Sequence, residues 1–447
     1  MSFLRYLVAL VLTAGLFTAY AAHADEQDNS NFEEELNERD FDALRDYLKS
    51  RRAIDIESST SCLTISGNVR TEWRHLNETC KGMRLRGHGA TDAAGRPISR
   101  NDFDIEFNLR FDYVCGNTWA VAHARYDNSA GVDDNNHPCF PNKDYDPTAC
   151  CLQQSRQCYG DPSGYHGSGN CDDLCLKKAF FGYELYACGD SSMYFELGRR
   201  GQLYDVFDSN IQFLSRFDGL FLKYESSWES IADWYLQAAG FLVDERVNHF
   251  AWASEIGFLN ICDSGIDLKY SIIDWEKHGT NRCFVRNPAG FRFINSQITS
   301  YYHLNPEWLG KKTQIYGAFL VNHAAHALKV RNHHKYKNIA WYAGVLFGEV
   351  RKEGDWSIEI QYQLVQAQSV PDDDSGGICR GNVLKESFTT CAKRGNTNFK
   401  GWKFEGLYAF TDHLTLDTIL EWTKAEDSSI GGKHTYSKFE MEAIYAF

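Results

Sequence analysis

The chain has 447 residues and a formal net charge of −14, with 46 Lys and Arg against 60 Asp and Glu. That balance excludes a nucleic-acid binder, which needs a basic face. Mean hydropathy is −0.45, and no stretch approaches the ~18 uninterrupted apolar residues of a transmembrane helix. The N-terminus reads as an export signal. Arg5 gives a positive start, Leu7 to Phe17 an apolar core, and Ala22-His23-Ala24 a small-x-small cleavage pattern. Residues 1–24 are therefore read as a signal peptide cut after Ala24. Export implies an oxidising compartment, so the 14 cysteines read as disulfides rather than zinc or thiol chemistry.

Residues 25–60 form an acidic segment of different character. Ser30 and Glu33 fit a capping box, and Phe32, Leu36, Phe41, Leu44 and Leu48 recur at helical spacing. The pattern predicts a short periplasmic helix over about 31–52.

From Cys62 onward the period changes to two. Phe103, Ile105, Phe107, Leu109, Phe111 and Tyr113 alternate with Asp104, Glu106, Asn108, Arg110 and Asp112, the mark of a strand with one apolar and one wet face. Sixteen strands are predicted, near 63–75, 103–115, 118–127, 177–187, 192–200, 218–226, 232–243, 249–261, 265–276, 292–304, 312–323, 337–350, 355–366, 398–410, 413–424 and 435–447. The connections alternate short and long. Gly116-Asn117 and Thr411-Asp412 are tight, whereas 128–176 and 367–397 are long. The last strand puts Phe439, Met441, Ala443, Tyr445 and Phe447 on one face and ends on Phe447.

Alternation alone does not say which face points inward. An even count of about sixteen strands, alternating loop lengths and the terminal Phe together predict an all-β, closed antiparallel transmembrane β-barrel over 61–447. Such a barrel is too wide for side chains to fill and leaves an aqueous channel.

The densest functional candidate is the connection between the fifth and sixth strands. Arg199, Arg200, Asp205, Asp208, Arg216 and Asp218 sit there among aromatics, and an inward fold would make them an electrostatic constriction. A structural salt-bridge cluster at the rim is the plainer alternative. Arg70, Glu72, Glu106 and Arg110 are expected on the lumen wall, as filter residues or as a generic wet surface. Cys62 begins the first strand and Cys115 ends the second, so antiparallel pairing brings them close enough to suggest a disulfide. Cys139, Cys150, Cys151, Cys158, Cys171 and Cys175 suggest a stapled outer loop at 128–176, and Cys379 and Cys391 fall in another outer loop. No catalytic arrangement, metal site or cofactor site is expected.

Glu196-Leu197-Gly198-Arg199-Arg200, followed by Tyr204-Asp205-Val206-Phe207-Asp208 and Ser215-Arg216-Phe217-Asp218-Gly219, together with the cysteine-rich barrel and acidic N-terminal segment, resembles the major outer-membrane-protein-like porins of chlamydia-related bacteria. The resemblance covers about 60–447. It implies a non-enzymatic porin in the bacterial outer membrane, in contact with its lipid and passing ions and small hydrophilic solutes. It further implies a homo-oligomer, with a trimer as the analogous assembly, and disulfides that rigidify the envelope or link copies. Two other readings stay open: a disulfide-rich envelope structural protein or adhesin, and a substrate-specific, alginate-export-like channel.

Overall fold

The computed structural model describes residues 54–57, 61–80, 101–128, 174–228, 231–244, 249–275, 292–304, 310–330, 333–371, 374–378, 397–430 and 432–447, with short pieces at 82–86, 88, 381–382 and 394–395. The predicted signal peptide and N-terminal helix lie outside the described residues.

One sheet contains eighteen strands, two of them short accessories, Ile54–Glu57 and Met83–Arg86, leaving sixteen in the barrel. In chain order these are β1 (Ser61–Cys80), β2 (Asn101–Cys115), β3 (Thr118–Asn128), β4 (Leu174–Cys188), β5 (Ser191–Gln202), β6 (Arg216–Trp228), β7 (Ala232–Asp244) and β8 (His249–Leu259). They continue as β9 (Ile266–Asp274), β10 (Ile294–Leu304), β11 (Thr313–Asn322), β12 (Ile339–Glu349), β13 (Trp356–Val365), β14 (Phe399–Ala409), β15 (Leu414–Ala425) and β16 (His434–Ala446). Each strand pairs antiparallel with the next, and β16 returns to β1, so the sheet has no free edge. Several strands exceed their predicted span, β1 by reaching Cys80 and β4 by starting at Leu174. The strand at Ile54–Glu57 was not anticipated; it pairs with residues 62–65 of β1, below the point where β16 ends.

Short turns gather at one end. Gly116 and Gly189 each open a two-residue loop with φ of 54° and 55°, a conformation a residue without Cβ adopts at no steric cost. Most of the longer connections lie at the other end. Among the described residues no helix is long and apolar enough to cross a membrane, a fact that does not bear on strands.

Burial is inverted relative to a water-soluble protein. On β2, Phe103, Ile105, Phe111 and Tyr113 are exposed, whereas Glu106 and Asn108 between them are buried. The same holds around the wall: Trp252, Ile298, Ile315, Phe319, Trp402 and Trp422 face out, while Gln237, Glu255, Lys269, Gln297, Glu359 and Gln361 are buried. Exposed aromatics form two bands. Trp73 stands opposite Phe103, and Trp402 opposite Trp422, toward the long-loop end. Tyr113, Tyr408 and Tyr445 lie toward the short-turn end. Exposed apolar surface of this extent is a liability in water and a requirement in lipid.

The seam closes on Phe447, whose backbone N–H and C=O both pair with Gly67 at 3.0 Å. A Cβ on Gly67 would lie 2.6 Å from the Phe447 ring and 2.8 Å from the carbonyl oxygen of Asn108. Gly67→Val should therefore lower barrel stability by about 1–3 kcal/mol, read as a lower temperature for loss of the compact, heat-modifiable band on gels. Shortening Phe447 to Ala in the same chain should recover part of that loss; equal costs with and without Phe447 would rule out the contact.

Candidate functional site

The lumen wall carries its charges where the pleat puts them. Asp417 of β15 stands opposite Glu442 of β16, Glu442 opposite Glu72 of β1, and Glu72 opposite Asp104 of β2. Four carboxylates thus share one row across four strands, an arrangement unfavourable without counter-charge. Two guanidiniums supply it. Arg70 bonds to Glu442 and lies 3.3 Å from Glu106; Arg74 bonds to Asp104 and lies 2.8 Å from Glu72. Arg125 adds a 2.8 Å contact to Glu106. Lys438 reaches Glu440 at 3.0 Å and Glu421 at 3.6 Å, and Lys403 reaches Glu405 at 2.5 Å. Arg110 pairs with Asp112 at 2.7 Å, nearer the short-turn end. Arg70, Glu72, Glu106 and Arg110 therefore lie on the inner face, in ion pairs.

The connection 203–215 between β5 and β6 folds into the barrel. Its start is set by a glycine: Gly201 has φ of 109°, and a Cβ there would lie 2.4 Å from a carboxylate oxygen of Asp205. Asp205 is held by Lys178 of β4 at 2.9 Å, and a turn of 3₁₀ helix follows at Leu203–Asp205. The segment then docks on the wall of β7–β13. Asp208 pairs with Lys269 at 2.9 Å and accepts a hydrogen bond from the Tyr301 hydroxyl. The side-chain amide of Gln297 donates to the Asp208 carbonyl at 2.8 Å, and Ser209 donates to Gln297 at 2.7 Å. The Asp208 N–H donates to Glu255 at 3.3 Å. Beneath it Phe207, Phe213, Phe217, Phe221, Phe241 and Trp275 form an apolar cluster.

A second loop meets the first. Asp374, from the β13–β14 connection, is fully buried. Its two carboxylate oxygens accept the N–H groups of Phe213 and Ser215, each at 3.1 Å, and its carbonyl accepts that of Leu214 at 3.2 Å. Gly376 N–H donates to the Ile211 carbonyl at 3.1 Å, and the Gln363 side chain donates to the Asn210 carbonyl at 3.3 Å. The captured turn contains Phe213 at φ of 72°, unusual for a residue with a Cβ and tolerated where surrounding contacts over-determine it.

The six charged residues singled out around this loop separate by strand parity. Arg200 faces inward, paired with Glu196 at 2.8 Å and lying over the Phe180 ring at 5.0 Å. Asp205 and Asp208 are in the inward loop and each is matched by a lysine. Arg199 and Asp218 pair with each other at 2.6 Å but share the outward face with exposed Leu197 and Leu220. Arg216 begins β6, and its side chain lies outside the described residues. Sequence reasoning missed Asp374, Lys178, Lys269, Gln297 and Tyr301. Asp374 sits in a Pro-Asp-Asp-Asp-Ser-Gly-Gly run that reads as a solvated loop, and the others look like ordinary wall residues.

The expected Cys62–Cys115 disulfide is not formed; both thiols are free. The register explains it: Cys62 pairs with Val114 and Cys115 with Ser61, a one-residue offset that puts the two side chains on opposite faces of the sheet. Cys175, expected in the stapled loop, is also free. Cys80 is disulfide-bonded. Cys139, Cys150, Cys151, Cys158, Cys171, Cys379 and Cys391 lie outside the described residues.

At the long-loop rim Lys337 pairs with Glu426 at 2.8 Å and Asp427 at 3.1 Å. Burial works against the charged form of Asp427. The Ser429 hydroxyl and N–H, with the Lys337 ammonium, outweigh it and hold the carboxyl at about 2.

No protein-family model and no curated protein sequence matches the chain. Among solved structures, Salmonella typhi OmpF in complex with daunomycin aligns over 88% of this chain and 100% of its own, at 13% identity and a TM-score of 0.46. Pseudomonas putida OprB aligns over 86% of this chain and 94% of its own, at 10% identity and a TM-score of 0.46. A triple mutant of Rhodopseudomonas blastica porin aligns over 86% and 100%, at 9% identity and a TM-score of 0.40. At this level the chemistry of the lumen has to come from this chain's own residues.

Asp374→Ala would leave the Phe213 and Ser215 N–H groups without their acceptors, at about 1–3 kcal/mol each. Amide exchange at residues 213–215 should then quicken by roughly tenfold or more, while the β2–β3 ladder keeps its protection. Equal protection in the variant would show that the loop is held without Asp374.

Proposed function

We propose that this chain is a porin-type channel of the bacterial outer membrane, passing ions and small hydrophilic solutes passively and catalysing nothing. The observation that carries this reading is the inverted burial of a closed sixteen-strand barrel, apolar outside and polar inside. The inward loops support it, because they narrow the lumen at one level with fixed, matched charges. A cleaved signal peptide, residues 1–24, and the short-turn placement of both barrel ends fit export and assembly from the periplasmic side. The finer reading is a member of the major outer-membrane-protein-like porins of chlamydia-related bacteria. On that reading the protein is a homo-oligomer, a trimer by analogy, with an acidic periplasmic helix at about 31–52 and disulfides in its outer loops. The Cys80 bridge is in keeping with the last of these.

The test is single-channel recording of the refolded mature chain in planar bilayers, with the reversal potential in a KCl gradient. Stepwise, ohmic openings are expected. The row Asp417, Glu442, Glu72 and Asp104 outnumbers the two guanidiniums that bridge it, so cations should pass in preference to chloride. Glu72→Gln with Asp104→Asn should bring the permeability ratio toward about 1. A channel that stays shut at all voltages while the purified protein binds cells would favour the adhesin reading instead.

A further inference from the structure

The outward face of the barrel carries a basic cluster that nothing in the channel reading uses. Lys400, the second residue of β14, stands directly opposite Lys424 of β15. One step along the same face, Trp402 stands opposite Trp422, both about half exposed. Strand alternation puts each lysine on the side of its tryptophan, outward and toward the long-loop end. Lys424 pairs across its other edge with Thr435, and Lys433, exposed, lies two residues before that threonine.

Directly opposed like charges disfavour a strand pair unless something lies between or beside them. Among the described residues none of these three lysines has an acidic partner. Glu426 and Asp427, which follow Lys424 in the chain, are taken up by Lys337 at 2.8 and 3.1 Å. The uncompensated charge sits just beyond an exposed tryptophan pair, the level at which a bilayer changes from acyl chain to headgroup. Lysine stems extend along such a boundary and deliver the ammonium to the polar side.

We propose that Lys400, Lys424 and Lys433 form a binding site for the phosphate group of a lipid in the outer leaflet, with Trp402 and Trp422 packing against the attached acyl chains. The site rests on the membrane reading above but not on the pore's being open. A phosphate monoester carries nearly two negative charges and several acceptor oxygens, and it can bridge two opposed ammonium groups that have no carboxylate of their own. The acyl contact separates a lipid from free phosphate, since only the lipid engages both the lysines and the tryptophans.

The test reconstitutes the full mature chain in phosphatidylcholine vesicles with and without one-tenth phosphatidic acid. Lipid retained on the protein after extraction into detergent is then counted by native mass spectrometry. Wild-type protein should retain phosphatidic acid selectively, and Lys400→Gln with Lys424→Gln should cut that retention by roughly tenfold or more. Inorganic phosphate at the same concentration should neither bind measurably nor displace the lipid. Equal retention by wild type and double variant would overturn the site, as would full competition by inorganic phosphate. Compact migration on unheated gels confirms that the double variant folds. Wild-type protein that fails to enter either vesicle would instead sink the membrane reading itself.

Discussion

Everything in this molecule depends on the hydrogen-bonded seam between the first strand and the last. A sheet with an open edge exposes a row of unpaired N–H and C=O groups, which water can satisfy and hydrocarbon cannot. Here β1 pairs with β16 along thirteen consecutive residues, Asn68 to Cys80, and Phe447 extends the contact to Gly67. Because the ends meet in this register, the pleat of every strand is fixed relative to its neighbours. The register then decides which residues face outward and which face the lumen. A slip of one residue anywhere would turn a whole strand's apolar set inward.

Closure also creates a problem of volume. A sixteen-strand cylinder is too wide for its own wall to fill, so the chain folds its connections inward. The loop 203–215 does so with two kinds of support. A phenylalanine cluster gives it an apolar floor, and matched pairs such as Asp205 with Lys178 and Asp208 with Lys269 fix its position. Neither pair leaves a loose charge, so the loop acts through its bulk as well as through its field. Asp374 completes the arrangement by tying two loops that are far apart in sequence.

The barrel was legible in the sequence because its physics is local. Alternation in Phe103 to Tyr113 and the alternation of loop lengths each express one requirement of a closed sheet with a polar interior. What escaped was set by register and by distance. The Cys62–Cys115 pair looked close because both lie at strand ends, but a one-residue offset sends the thiols to opposite faces. Arg199 and Arg200 are neighbours in the chain, and grouping them hid the parity that separates them. Leu197 and Arg199 share the outer face, Glu196 and Arg200 the inner one. Asp374 carried no signal at all, since its partners are backbone N–H groups some 160 positions away.

The lumen is consequently unequal from side to side. The inward loop hydrogen-bonds to Gln237, Glu255, Gln297 and Gln363, on β7, β8, β10 and β13. The carboxylate row runs across β15, β16, β1 and β2, the strands that straddle the seam. Filling one side of a cylinder confines water to the other, and on that other side the charges stand at fixed height on adjacent strands. Width and charge are then set by different parts of the chain: width by two loops held through backbone hydrogen bonds, charge by a row on the wall. A substitution in the row changes the field without moving the loops. A substitution at Asp374 moves the loops without changing the charge on that wall.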